Sequence, residues 1–200
     1  MGIKLYYQMT VTKQDGSVKY DSGLKPSHSY VLQFLRLLYG FYGGTWILSN
    51  VTATAKDVDG NTSNITELGK HCHDMGRVDA PQGDSTYGIV VGLNTGTTAE
   101  DNANYVLDTQ VAHGVGAGQL NHQAVTFVAP VVDGANVDFD ISRPLVNESG
   151  GPITIDEIGL YCKCTLAATK YFCLIRDVTA PTVVADTETL TVVYTLRTTA

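Results

Sequence analysis

Charged side chains are scarce in this sequence: 16% of its 200 residues, against about a quarter in an average soluble chain. Thr, Ser, Asn and Gly fill the gap, a neutral polar surface suited to a β protein packed among neighbours. The 13 basic residues are outnumbered by 20 acidic ones, the formal net charge is -7, and Lys and Arg stand singly. Nucleic-acid binding needs a basic stripe, so no nucleic-acid partner is expected. A membrane span needs about 20 consecutive apolar residues. The longest candidate, 30–47, is broken by Gln33, Arg36, Gly40, Gly43 and Gly44, and no membrane partner is expected. No charged-then-apolar leader precedes the strand-like opening at Ile3. Synthesis in a reducing cytosol is the expectation, with Cys72, Cys162, Cys164 and Cys173 starting as thiols. Low-complexity tracts and internal repeats are also missing.

Catalytic signatures are missing as well. A hydrolase needs a nucleophile, a base and an orienting group, and no G-x-S-x-G elbow positions a serine. Gly88, Gly92 and Gly96 are not followed by Gly-Lys-Ser/Thr, so they form no phosphate loop. Asp138 and Asp140 share a strand parity, but they alternate with Val137, Phe139 and Ile141, which makes them one solvated face. Neither an enzyme nor a cofactor is expected.

What the chain does have is period-two patterning. Ile3, Leu5, Tyr7, Met9 and Val11 alternate with polar residues, a half-buried strand. Asp15-Gly16 is a tight-turn pair, and 17–21 returns as the second arm of a hairpin. Further strands are expected at 47–56, 87–93, 122–132, 136–143, 153–164, 171–178 and 189–197. Segment 87–93 is apolar throughout, as for a strand buried on both faces. Pro130 marks an edge or an end, and Asp133-Gly134 a second hairpin. Residues 61–83 and 94–118 are rich in turn formers and read as long loops, which commonly carry function or are ordered by a partner. Ile153 and Ile155 have odd parity, whereas Ile158, Leu160 and Cys162 have even parity. One core can take both sets only with a β-bulge at Asp156-Glu157. The whole predicts an all-β chain: one antiparallel β-sandwich of jelly-roll or Ig-like type over 1–200, with an N-terminal hairpin and one short α-helix in 1–46 and the main sandwich in 47–200.

The helix is predicted from about residue 29 to 39, capped by Ser27 or Ser29 and ended by Gly40 and Gly43-Gly44. Val31, Phe34, Leu35 and Leu38 at i, i+3, i+4 and i+7 make a full apolar face. Leu32, Leu37, Phe41, Tyr42 and Trp46 are then surplus. Either they fill the same core, or they form an interface with a neighbouring subunit, since large exposed apolar patches mark contacts.

His71, Cys72 and His73 with Cys162 and Cys164 are the residues that could hold zinc. Their spacing matches no zinc-binding signature, and buried thiols with a polar loop histidine pair are the simpler reading; no metal is expected. A disulfide between Cys162 and Cys173, facing each other across a hairpin, is the other possibility the spacing leaves open. The N-x-S/T triplets at Asn50, Asn61, Asn64 and Asn147 are chance in a chain rich in Asn and Thr.

The stretch 139–195 contains FDISRPLVNESGGPITIDEIGLYCKC and YFCLIRDVTAPTVVADTETLTVVYT. It resembles a family of tailed-phage structural proteins in which an N-x-SGG-x-ITI-x-EIGLY strand pair leads to LIRDV and a closing TLTVVYT. The matching positions are Asn147, Ser149, Gly150, Gly151, 153–155, 157–161, 174–178 and 189–195. The segment YGIVVGLNTGTTAEDNANYVLDTQVAHGVGAGQL belongs to the same pattern. EIGLY is also similar to the tail-attached domain of some phage tail-fibre proteins. The resemblance implies a non-enzymatic, many-copy virion component of the tail, neck or baseplate, assembled in the host cytoplasm. Its implied partners are other virion proteins and copies of itself. Capsid decoration is the alternative role, and a virion-surface module for host glycans, stacking sugars on Trp46 or tyrosines, a third.

Overall fold

The computed structural model describes residues 3–27, 30–43, 54–65, 76–96, 99–165 and 168–199, and for 41–43 the backbone alone. Among the described residues, thirteen strands and one helix follow in the order β1 (Ile3–Thr12), β2 (Val18–Asp21), β3 (Lys25–Pro26), α1 (Leu32–Gly43), β4 (Thr54–Lys56), β5 (Thr62–Asn64), β6 (Gly88–Leu93), β7 (Thr109–Gln110), β8 (Asn121–His122), β9 (Thr126–Asp133), β10 (Asn136–Val146), β11 (Ile153–Thr165), β12 (Thr169–Val184) and β13 (Thr189–Thr199). One sheet runs β2-β1-β13-β10-β8, with β3 also on β1 and β9 also on β10. A second runs β12-β11-β6-β7, and β4 and β5 form a small hairpin. The strand pairings are antiparallel, and the two large sheets face each other as a sandwich.

The period-two residues do what their spacing requires. Leu5, Met9 and Val11 are buried on β1, and Leu190, Val192 and Tyr194 on β13. They meet Ile89 and Val91 of β6 and Ile158, Leu160 and Ile175 of the opposing sheet in one cluster. Strand β6 has neighbours on both faces and is buried from Gly88 to Gly92. Each such aliphatic side chain contributes roughly 1.5–3 kcal/mol of burial.

The β11–β12 register does slip between Ile155 and Glu157, but the extra residues lie on β12 and not at Asp156-Glu157: Ile155 faces Thr182 and Glu157 faces Val178, which sets three residues of β12 against Asp156. Ile153, Ile155, Ile158 and Leu160 lie in the main core and Cys162 in a second cluster, and every residue from Glu157 to Cys162 is buried, so both parities are covered along that stretch. A second slip between Leu160 and Tyr161 sets Cys173 opposite Tyr161 and Phe172 opposite Cys162. Cys162 and Cys173 therefore do not face each other, and Cys162, Cys164 and Cys173 are free. The second slip has no parity signature in β11, because its extra residue, Leu174, is on β12.

Helix α1 starts and ends later than its caps suggested, and Gly40 lies inside it. That glycine is there for space: a Cβ would stand 2.9 Å from the Ile65 carbonyl oxygen. The buried face is Gln33, Leu37 and Gly40, whereas Leu35 is 59% exposed and Leu32 38%. Gln33 is inward because its Oε1 accepts the Lys56 N–H at 2.8 Å, closing an end of β4. Val31 precedes the helix, and its N–H donates to the Leu174 carbonyl. Leu37 is thus core and not surplus, while Leu32 is partly exposed. The side chains of Phe41 and Tyr42, and Trp46 altogether, lie outside the described residues, as do 47–53 of the expected strand 47–56.

Two loop expectations change. Residues 61–83 include strand β5, and Arg77 pairs with Lys163 of β11 through both backbone groups. Segment 94–118 contains β7. The expected strand 122–132 divides into β8 and β9; Pro130 lies in β9, an outer strand exposed along its whole length.

Candidate functional site

The densest group of buried charge lies where β11 and β12 meet the segment 99–110. Glu157 and Arg176 are both buried. Arg176 Nε donates to Glu157 Oε1. Its Nη1 donates to Asn104 Oδ1 at 2.7 Å and to the Ala99 carbonyl at 3.2 Å. Glu157 Oε2 accepts the Asp108 N–H at 2.8 Å, and the Tyr161 hydroxyl accepts the Leu107 N–H at 2.5 Å. Glu100 Oε1 in turn accepts the Val178 N–H at 2.9 Å. Gly159 leaves room for this approach, since a Cβ there would be 3.1 Å from Leu107 Cδ2. On the other face of β12, Asp177 accepts from the Ser27 hydroxyl at 2.8 Å and from the Tyr194 hydroxyl at 3.2 Å.

Burial pushes the Glu157 carboxyl up, opposed by the Asp108 amide and Arg176. A buried carboxyl raised in this way is the raw material of a general acid. Here both its oxygens are engaged within the fold. The geometry fastens a long connection to the sandwich, because buried polar groups cost little only when paired.

Arg143 is a second buried centre. Its guanidinium donates to the carbonyls of Gln123 at 2.8 Å, Tyr87 at 3.1 Å, Ile89 at 3.0 Å, Pro81 at 3.4 Å and Asp84 at 2.5 Å. Burial lowers its pKa to about 10. Beside it, His122 Nδ1 lies 2.9 Å from the Leu120 carbonyl, which places the ring proton on Nδ1 and a lone pair on Nε2. Nε2 is buried with no hydrogen-bond partner. Burial, with Arg143 adding to it, lowers the His122 pKa to about 4. His113 Nδ1 accepts the His122 backbone N–H at 3.1 Å. No nucleophile is paired with either imidazole among the described residues.

Asp138 and Asp140 do not form a carboxylate pair. Asp138 holds Arg197 through both oxygens, at 2.6 and 2.5 Å, and Asp140 accepts from the Thr195 hydroxyl at 2.6 Å. Asn147 is buried. Its Nδ2 donates to the Gly151 and Val184 carbonyls at 2.8 Å, and its Oδ1 accepts from Ser149, so it clamps the β10–β11 turn.

Of the metal candidates, Cys162 and Cys164 come together with sulfurs 3.9 Å apart, both buried. Sharing one thiol proton holds Cys164 down and Cys162 up. His71, Cys72 and His73 lie outside the described residues. Among the described residues no three potential ligands gather at one point. No helix among them is long and apolar enough to cross a membrane.

The outer surface carries shallow clefts, one of about 540 Å³ beside Lys13, Asp15, Asp186 and Glu188. It also carries an apolar strand: Phe127, Val128, Val131 and Val132 of β9 are 45–73% exposed. Phe127 stacks on Phe139 with ring centroids 6.1 Å apart.

Pattern reading missed Arg143, Glu157, Arg176 and His122. A usable signal existed for Arg143 and Asn147, which share the odd parity of the buried Ile141 and Leu145. A polar residue in phase with a core stripe must be satisfied inside it. The partners of Glu157 and Arg176 come from a segment some 50–75 residues away, and no local pattern names them. No protein-family model matches the chain, and neither curated proteins nor solved structures yielded a match.

Proposed function

We propose that the chain is a non-enzymatic structural subunit of a tailed-phage virion, present in many copies in the tail, neck or baseplate region. One observation carries this reading. Several residues on which the sequence resemblance rests hold the fold together: Asn147 at the β10–β11 turn, Glu157, Gly159, Tyr161 and Arg176 around the fastened segment, and Asp177 on the other face of β12. A motif spent on internal fastening suits a subunit that presents a stiff exterior to many neighbours. The neutral polar composition and the exposed apolar strand β9 suit contacts with other virion proteins and with copies of itself.

Mass spectrometry of purified particles, with copies counted against the major capsid protein, tests the proposal. A few to a few dozen copies per particle are expected. A count near that of the capsid protein reassigns the chain to capsid decoration, and absence from particles removes the reading. Exchange of Val128 and Val132 for Asp is expected to leave the β circular-dichroism spectrum intact while blocking incorporation. Hydrolysis of peptidoglycan or polysaccharide, abolished by a single Asp or Glu substitution, would make the chain an enzyme instead.

A further inference from the structure

We propose that two copies of this chain join about a two-fold axis through β9, the two strands lying antiparallel with their outer edges together. The chain shields its other long edge, that of β12. There the Leu174 carbonyl accepts the Val31 N–H, the Tyr171 carbonyl accepts the Val58 N–H, and the Val178 N–H donates to Glu100. Strand β9 pairs with β10 on one side, and among the described residues nothing pairs with its other edge. A long apolar edge left open is a template for a further strand. Phe127, Val128, Val131 and Val132 are 45–73% exposed. They leave on the order of 400 Å² of apolar surface in water, a patch of the size that marks contacts. Two such strands cover on the order of 800 Å² of it, and the main chain between them brings the contact to the roughly 1,000 Å² that a specific interface needs.

The register singles out a second copy as the occupant. Val131 faces Asp138 and Val128 faces Asp140, so Ala129 and Pro130 together stand against Phe139. This extra residue keeps Val128 and Val131 on one face of β9 and puts Phe127 and Val132 on the other, opposite Ile141 and Val137. Directly opposed residues of an antiparallel pair share a face. A two-fold axis between Ala129 and Pro130 therefore sets Phe127 against Val132 of the second copy and Val128 against its Val131, apolar on apolar on both faces. Asp133, the one charge in the strand, then meets Thr126 at each end. A register one residue away opposes Asp133 to Phe127 and mixes the two faces. Pro130 has no N–H to give, so the main-chain bonds come from the segments flanking it. Pairing consumes both open edges, which closes the assembly at two copies. The proposal rests on the reading of β9 as a contact strand of a structural subunit; the purified chain tests it apart from the particle count that decides that function.

The full chain, purified alone, is expected to sediment at twice its 21.5 kDa at micromolar concentration. Val128→Asp and Val131→Lys are each expected to weaken the dimer about tenfold or more while keeping the β circular-dichroism spectrum. The Val128→Asp/Val131→Lys double variant sets Asp against Lys twice across the axis and should regain the dimer, most strongly at low salt. Val183→Asp, at an exposed position of β12, should leave it unchanged. Should the β9 variants fail to fold, the unaltered protein still decides. Its amides at 126–133 should exchange faster on dilution through the dissociation range. A monomeric chain, an assembly larger than two copies, single variants that dimerise as the parent does, a double variant no better than the singles, or exchange at 126–133 indifferent to dilution overturns the proposal.

Discussion

In the main sandwich, Leu5, Met9 and Val11 of β1 lie across from Leu196, Val192 and Leu190 of β13, register partners along two continuous strands. In the second cluster, Leu37 of α1 meets Ala55, Ile65 and Phe172 from three separate strands and loops. The first core is assembled by hydrogen-bonded ladders that fix which side chains face inward, so one parity rule serves a whole strand. The second is assembled by a helix laid on a sheet, where rotation about the helix axis is free until packing chooses it. The same apolar composition thus specifies burial unambiguously in one region and loosely in the other. The main core also carries its ionised groups inside, each paired, while the second cluster has thiols in their place.

The comparison breaks most visibly at the buried ion pair. Arg176→Met strands Glu157 without its cation and is expected to cost about 3–5 kcal/mol in urea unfolding. Amide exchange across 99–108 should speed up in parallel. Replacing both partners, Glu157→Leu with Arg176→Met, should recover most of the loss. A single variant within about 1 kcal/mol of the parent would show that the segment is held by something else.

Acid should act next most strongly, and on the main core. His122 titrates at about 4 in the fold against 6.5 when unperturbed. Protonation therefore favours the unfolded chain. The stabilising contribution is complete above pH 6.5 and disappears as the pH falls towards 4, a loss of about 3 kcal/mol. Denaturant titrations at pH 7 and pH 4 should show the parent losing that much more than His122→Leu. Equal losses would contradict the assignment.

Within the second cluster, Leu37→Ala is expected to cost about 2 kcal/mol, near the low end for a buried leucine, because a small cluster collapses around the gap. It should loosen α1 and the β4–β5 hairpin before the sandwich, detectable as early amide exchange confined to them. A single cooperative transition with no such early phase would join the two regions into one unit. Smallest of all, Leu35→Ser on the exposed face should change stability by no more than about 0.5 kcal/mol. A cost matching that of Leu37→Ala would rotate the helix back to the phase its periodicity suggested.

Legibility followed this division. Strands β1, β6, β10, β11 and β13 could be read from alternation or continuous apolarity; the parity conflict in β11 marked a register slip before Glu157 but not that its extra residues lie on β12. The exposed character of Pro130 followed from its missing N–H. The phase of α1 could not be read, because Gln33 is buried by a hydrogen bond to Lys56, a partner 23 residues away. Nor could the offset of Cys162 from Cys173, which depends on a slip that leaves no trace in hydropathy. The convergence of the Cys162 and Cys164 sulfurs depends on side-chain rotamers, which spacing does not encode.

By itself the sequence determined the β class, the antiparallel hairpins and the inward face of most long strands. These are consequences of local stereochemistry: side chains alternate along a strand whatever lies beyond it. Only the tertiary structure decided which polar residues are buried and who satisfies them. Glu157 and Arg176 are tolerable inside because Asn104, Asp108 and Ala99 return to them from a distant segment. Arg143 is tolerable because five carbonyls happen to converge on it. A buried charge is stable only with its partners in place, and those partners are assembled by the fold as a whole.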